Sequence, residues 1–417
     1  MKRLIGCTVV LCLLALTVGC GGVTGTGTLA YVSNSNGSGF TVFTVNTNGT
    51  LTTSSISPLA TPAAPKVIQF SANGKWAYFL DAAGGSIYGY VRAGNGTFSE
   101  KINNSPFSLG TLGATSLVIS PNNGFLYVAE PNAGDGSLAT FTIDSSTGEL
   151  GLGNPVPYGA TGISQLAITP SGSALYGLLP ASGAVMGWSL NNGNASYVIT
   201  TPAGVTPTYM VLSANGLYMY VLEFSDTSLY TTVASGVTGQ SPNILGFFVG
   251  TGNNVGTLPP MSSTGGFGNI FNENADLVTG LFPTNPYGGA TSYDSRFLFV
   301  VNRGTSNISV FKIAAATTNN PGGGLDEVKG SINRTVQPPV STASPFPCGA
   351  AGGCGAPSFL AVAKADNALF VLNDGANSNT GPGSIFQFAI DENTGQLRPL
   401  NPASVTTGNG PTWITIR

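Results

Sequence analysis

The chain has 417 residues, of which only 7% are charged, and its formal net charge is −3. A typical globular protein carries about 25% charged residues, so this surface is made of Ser, Thr, Asn and Gly, and it lacks the clustered Lys and Arg that nucleic acid requires. The chain contains no histidine, which excludes every mechanism built on an imidazole base or imidazole metal ligand, Ser-His-Asp triads and HExxH zinc sites included.

Residues 1–19 read as a signal peptide. Lys2 and Arg3 form a positive start, and Leu4 to Val18 is apolar but shorter than the ~20 residues of a membrane-spanning helix. The segment ends in Leu16-Thr17-Val18-Gly19-Cys20, which resembles a bacterial lipobox. That resemblance implies cleavage before Cys20 and lipidation of its side chain. Residues 20–26 would then be a lipidated linker, and the membrane would be reached only through the acyl chains. The expected location is the cell envelope, as a periplasmic or outer-membrane-anchored lipoprotein, or a secreted protein. Without Lys2 and Arg3 there remain 12 basic and 17 acidic residues, a net charge of −5.

From residue 27 onward, apolar residues come in short runs separated by Gly, Asn, Pro and Ser, an all-β pattern. The runs repeat. Ser120-Pro-Asn-Asn-Gly-Phe-Leu-Tyr-Val-Ala-Glu130 has relatives beginning at Ser71, Thr169, Ser213 and Ser292, and a weaker one at Ala363. Each places an aromatic residue seven positions on, at Tyr78, Tyr127, Tyr176, Tyr220, Phe299 and Phe370, and Tyr31 is a seventh anchor. Downstream of each lies an apolar residue followed three later by an aromatic, from Phe40/Phe43 and Ile87/Tyr90 to Ile308/Phe311 and Ile385/Phe388. Turn residues follow, as in Thr147-Gly148-Glu149-Leu150. Seven units of four short strands predict a seven-bladed β-propeller over 27–417. The first unit lacks its opening strand, and the tail Pro411 to Ile416 matches an opening strand such as Pro357 to Val362. Pairing of the N- and C-terminal strands would close the ring and remove its edges.

The rhythm breaks in long loops near 224–243, 258–286 and 314–355. The last of these holds Cys348 and Cys354, which are expected to form a disulfide outside the cytoplasm. Closing so small a loop restrains the unfolded chain by only ~2 kcal/mol.

The units resemble the lactonase-type seven-bladed propellers, the family of bacterial 6-phosphogluconolactonase and fungal carboxymuconate cyclase. The matching features are the Ser-x-x-Gly-x-x-Leu-Tyr-Val-x-Asn opening, the Ile-x-Val-Phe-x-Ile strand and the Thr-Gly-x-Leu turn. The nearest single match is Phe299-Val-Val-Asn302-Arg303-Gly304-Thr-Ser-Asn-Ile308-Ser-Val-Phe311. The resemblance implies a carboxylic ester hydrolase. It carries the family's Asn-Arg-Gly segment onto Asn302, Arg303 and Gly304, and its acidic strand-end residue onto Glu223. The family's active-site histidine has no counterpart here.

Blade geometry selects the same residues. The position three after each anchor falls at one mouth of the central channel: Asn34, Asp81, Glu130, Leu179, Glu223, Asn302 and Asn373. In the catalytic reading, Glu223 directs a water at a lactone carbonyl and Arg303 stabilises the oxyanion. Asp81, Glu130, Asn302 and Asn373 would bind ligand hydroxyls; Asp81 and Glu130 also suit a divalent cation such as calcium, although no cofactor is required. The competing reading is that Asn, Asp and Glu at strand ends cap turns. Two functions are therefore expected: an exported lactonase-like hydrolase acting on a sugar lactone or related ester, or a non-catalytic cell-surface propeller binding a glycan, peptide or protein. A monomer is expected in either case.

Overall fold

Five of the units open on a hydroxyl, and that hydroxyl folds the turn leading into each second strand. Ser71, Ser120, Thr169, Ser213 and Ser292 each accept the backbone N–H five residues on, that of Trp76, Phe125, Ala174, Tyr218 and Phe297, at 2.9 to 3.0 Å. Within the turn, Gly74, Gly172 and Gly216 adopt positive φ, a conformation that glycine takes without steric cost. The copy at Ala363 has no hydroxyl to give, the physical reason that it reads as the weakest in sequence.

The computed structural model describes residues 27–417 except 38, 111, 131–136, 154–155, 158–161, 205, 224–243, 262–285, 305, 319, 329–345, 348–356, 366 and 375–381. The expected signal peptide with Cys20, the expected Cys348–Cys354 disulfide and much of the three expected loops lie outside the described residues. The strands form seven antiparallel sheets, and the innermost strands pack one on the next around a ring. This is the predicted seven-bladed propeller. The first blade is made of Pro411–Ile416, Leu29–Asn34, Gly39–Val45 and Leu51–Thr53. The sixth holds Pro286–Thr291, Phe297–Asn302, Asn307–Ile313 and Leu325–Glu327. The seventh holds Pro357–Val362, Ala368–Asn373, Pro382–Ile390 and Leu397–Asn409. In the fifth, three strands lie among the described residues: Pro207–Leu212, Tyr218–Glu223 and Ile244–Phe248.

Closure occurs as the two ends of the sequence require. Ala30 pairs with Ile416, Val32 with Ile414 and Asn34 with Pro411. Leu29 and Arg417 exchange two backbone hydrogen bonds of 2.7 Å. The poorly patterned outer region is a strand broken in two: in the first blade, Leu51–Thr53 and Leu59–Ala60 both pair with the third strand.

The buried residues form seven clusters, and each spans two adjacent blades. The anchor tyrosines bind these interfaces. Tyr31, Tyr78, Tyr127 and Tyr220 donate to the carbonyls of Gly96, Gly148, Gly193 and Gly323 at 2.7, 2.6, 3.0 and 2.8 Å, and Tyr176 reaches Thr257 at 3.3 Å. Every acceptor is in the turn after the third strand of the next blade. Burial of such a ring contributes roughly 1.5–3 kcal/mol, and the hydrogen bond adds about 1 kcal/mol net. Burial therefore dominates, which explains why Phe299 and Phe370 serve at the same position without a hydroxyl.

Burial raises the phenols of Tyr127 and Tyr176 to about 12. Because the folded state holds these protons more tightly than the unfolded chain, their contribution is complete below about pH 10 and is lost as pH rises toward 12. Tyr127→Phe is expected to cost about 1–3 kcal/mol in denaturant unfolding, since the Gly193 carbonyl loses its donor. The same variant should lose less stability than the parent between pH 10 and 12, a difference read directly from paired urea titrations.

Candidate functional site

The registers place the predicted ring. Asn34, Asp81, Glu223, Asn302 and Asn373 are each paired with the proline that begins an innermost strand: Pro411, Pro65, Pro207, Pro286 and Pro357. All five strand ends therefore lie at the same mouth. Glu130 ends the corresponding strand of the third blade and is buried; the residues that follow it, 131–136, are outside the described set.

Several of these side chains hold turns. One carboxylate oxygen of Asp81 accepts the N–H groups of Gly85 and Ser86 at 2.8 and 3.2 Å. Asn302 donates to Asn307 Oδ1 and Ser309 Oγ, both at 2.9 Å. Asn34 donates to the Gly39 carbonyl and Thr41 Oγ1 at 3.2 and 3.0 Å. Asn373 reaches the Val371 carbonyl at 3.4 Å, and its Oδ1 has no partner among the described residues. In the first, second and sixth blades the hairpin between second and third strands is thus pinned by the residue at this position, the turn-capping chemistry that Asn and Asp favour.

Glu223 and Arg303 differ from these. Glu223 is 2% exposed. Its Oε1 accepts the Thr206 N–H at 3.4 Å, and Gly204 covers the carboxylate so closely that a Cβ there would lie 2.6 Å from Oε1. Arg303 projects further. Its Nη2 donates to Asp374 Oδ2 at 2.7 Å, with side-chain exposures of 30% and 4%. Its guanidinium also lies 4.9 Å from the ring centroid of Tyr287, a residue on the innermost strand that is 45% exposed. A carboxylate on one side and an aromatic face on the other fix the fork while leaving it reachable.

Asp374 and Tyr287 are the residues that sequence reasoning missed. The signal was present in the repeat: Asp374 occupies the same position in the seventh unit that Arg303 occupies in the sixth, so the ion pair joins equivalent positions of neighbouring blades. A second cation at this mouth, Lys66, also escaped notice. Its ammonium donates to the Ala114 carbonyl at 3.2 Å. Burial lowers its pKa, opposed by the charge of Asp81.

Residues 22–186 match the family model described as lactonase, 7-bladed beta-propeller. The matched segment covers the first three blades and part of the fourth. Among curated proteins, none matches the sequence. Solved structures do. A Lactobacillus plantarum protein is 18% identical, with 94% of this chain and 99% of that one covered at a TM-score of 0.65. The periplasmic gluconolactonase of Pseudomonas aeruginosa is 17% identical over 93% of this chain and 98% of that one, at 0.60. A Bacteroides fragilis protein, a candidate 6-phosphogluconolactonase, is 16% identical over 95% and 99%, at 0.58. At these identities the structural likeness shows the shared propeller fold.

The ion pair of this propeller is asymmetric in burial, so its two truncations should differ. Arg303→Ala leaves a buried carboxylate uncompensated and is expected to cost about 3–5 kcal/mol. Asp374→Ala leaves a cation that is partly solvated, and should cost clearly less. Urea denaturation of the two variants measures this difference, and equal losses would contradict the burial described above.

Proposed function

We propose that the protein is an exported lactonase-like hydrolase that opens a sugar lactone or related ester at the mouth carrying Arg303. The observation that supports this is the Arg303 fork, held between Asp374 and Tyr287 and exposed beside the channel. A planar cation so fixed is suited to the charge that develops on a carbonyl oxygen during acyl transfer, because it needs no reorganisation as that charge appears. The chain has no histidine, so we assign the proton from the attacking water to a carboxylate, with Glu223 on the preceding blade as general base. Asp81, Glu130, Asn302 and Asn373 stand around this mouth as hydroxyl-binding groups in the same reading. The few cations of the chain favour a neutral or weakly charged substrate.

A second reading is a non-catalytic binding propeller of the cell surface, favoured by the missing histidine. The assay that separates the two uses Arg303→Ala/Asp374→Ala, which removes the buried charge together with its partner. Lactone hydrolysis is expected to fall roughly 10²–10³-fold in this variant and by 10²–10⁴-fold, in round figures, in Glu223→Gln. The wild-type pH–rate profile should show no inflection at the imidazole range of about 6.5. Lactone turnover that is absent from the wild type, or unchanged in both variants, contradicts the hydrolytic assignment.

Export is part of the proposal and rests on Lys2, Arg3, the apolar run to Val18 and Cys20. Expressed in a bacterial host, the full chain should incorporate labelled palmitate and fractionate with membranes. Cys20→Ser should abolish both.

A further inference from the structure

Below the mouth, the start of the innermost strands carries a recurring irregularity. Register shifts fall between Pro65 and Val67, Pro207 and Tyr209, Pro286 and Gly288, and Pro357 and Phe359. An extra residue there bends the strand and re-aims the side chain that follows. The side chain one pair below the strand-end residue is informative in the third and fourth blades too, where the register is regular. Ser116 Oγ accepts the Leu166 N–H at 3.1 Å. The Gln165 amide spans Met210, accepting its N–H at 2.8 Å and donating to its carbonyl at 2.9 Å. In the third and fourth blades, then, this position covers the channel-facing backbone of the next blade.

On the other side of the ring the same position is aromatic. Tyr209, Phe359 and Trp413 occupy it in the fifth, seventh and first blades. The rings of Tyr209 and Phe359 meet at 5.9 Å and 74°, and those of Phe359 and Trp413 at 4.1 Å and 31°. The first contact skips the sixth blade, whose residue at this position is Gly288. The two rings therefore meet on the axis side of that glycine. Trp413 also packs against residues of the second blade. The three rings thus floor the channel beneath Arg303 and Tyr287. Tyr209 and Trp413 keep partial exposure in spite of their place on the innermost ring, and the Trp413 indole nitrogen is buried with no partner among the described residues. An indole N–H so placed costs free energy unless an acceptor reaches it.

We propose that Tyr209, Phe359 and Trp413 form a binding floor for the ring face of a neutral pyranose-type saccharide, with the indole N–H of Trp413 donating to one of its oxygens. The chemistry is complementary at each level. Flat aromatic faces accept the C–H face of a sugar ring through dispersion and burial. The orphan indole donor meets an ether or hydroxyl oxygen. The chain has no histidine and few cations, so nothing in this floor selects a strongly anionic ligand. The inference deepens the hydrolytic reading by naming the ring that would lie under Arg303. Saccharide binding here does not require that any lactone be opened.

The test uses the mature full-length protein and its own fluorescence. Trp76 and Trp188 are buried in blade interfaces, so emission that changes with ligand reports Trp413. A panel of methyl hexopyranosides and glucono-1,5-lactone at millimolar concentration is expected to give a saturable emission change with at least one member. Trp413→Phe should abolish that change and weaken binding about tenfold or more by calorimetry. Phe359→Leu, which leaves the chromophore in place, should weaken it too. No saturable change with any member, or wild-type affinity in Trp413→Phe, overturns the proposal. Loss of hydrolysis in the Arg303 and Glu223 variants together with an unresponsive Trp413 sinks only the floor. A saturable change in a protein that opens no lactone supports the floor and sinks the hydrolytic reading.

Discussion

Everything at the mouth depends on a closed ring. Blades of this composition have little charge to hold them apart or together, and no single blade buries its apolar faces alone; each core cluster is shared by two neighbours. Loss of the tail strand from the first blade would take Ile414 and Ile416 from the cluster that holds Phe370 and leave Leu29–Asn34 as a free edge. Antiparallel pairing of the tail with that edge removes both problems at once. The tyrosine hydroxyls act within the same constraint. Each fixes how far one blade leans over the next by binding a carbonyl that a glycine turn presents; between the sixth and seventh blades, where Arg303 meets Asp374, the anchor Phe299 does this by packing alone.

The site follows from the repeat and from its exceptions. The strand-end position pins a hairpin in the first, second and sixth blades, through Asn34, Asp81 and Asn302. Function needs places where that pattern is interrupted. Arg303 follows a pinning Asn and is free to reach the next blade. Glu223 replaces the usual Asn with a longer carboxylate and lies against Gly204. Tyr209, Phe359 and Trp413 occupy a position that in the third and fourth blades is taken by hydrogen-bonding residues, and Gly288 leaves the space that lets two of them touch. A seven-fold scaffold thereby acquires one differentiated sector, made of the fifth, sixth, seventh and first blades.

Much of the fold was legible because its determinants are local and repeated. Ser71, Ser120 and Ser213 fold their own turns, Tyr78 and Tyr127 mark the second strands, and Pro411 to Ile416 visibly matches the strand that the first unit lacks. The split of the outer strand into Leu51–Thr53 and Leu59–Ala60 was not legible, since two- and three-residue pieces carry no period. The site was legible only by position. Counting from the anchors finds Glu223, Asn302 and Arg303, and the register confirms that they share a mouth with Asp81 and Asn373. It does not reveal that Arg303 is matched with Asp374, because that contact crosses between units and depends on how the blades lean, or that Tyr287 lies against its guanidinium, because that contact joins two strands whose pairing the repeat pattern alone does not register.

The ring account is tested most directly by native-state hydrogen exchange read by mass spectrometry on peptides covering 29–34 and 411–416. Both segments should exchange together, at the slow rate of the blade cores and with the same dependence on denaturant, because opening either requires opening the ring. Fast exchange in 411–416 while 29–34 and the remaining blades stay protected would contradict the account, since the tail would then be an ornament and not the strand that closes the propeller.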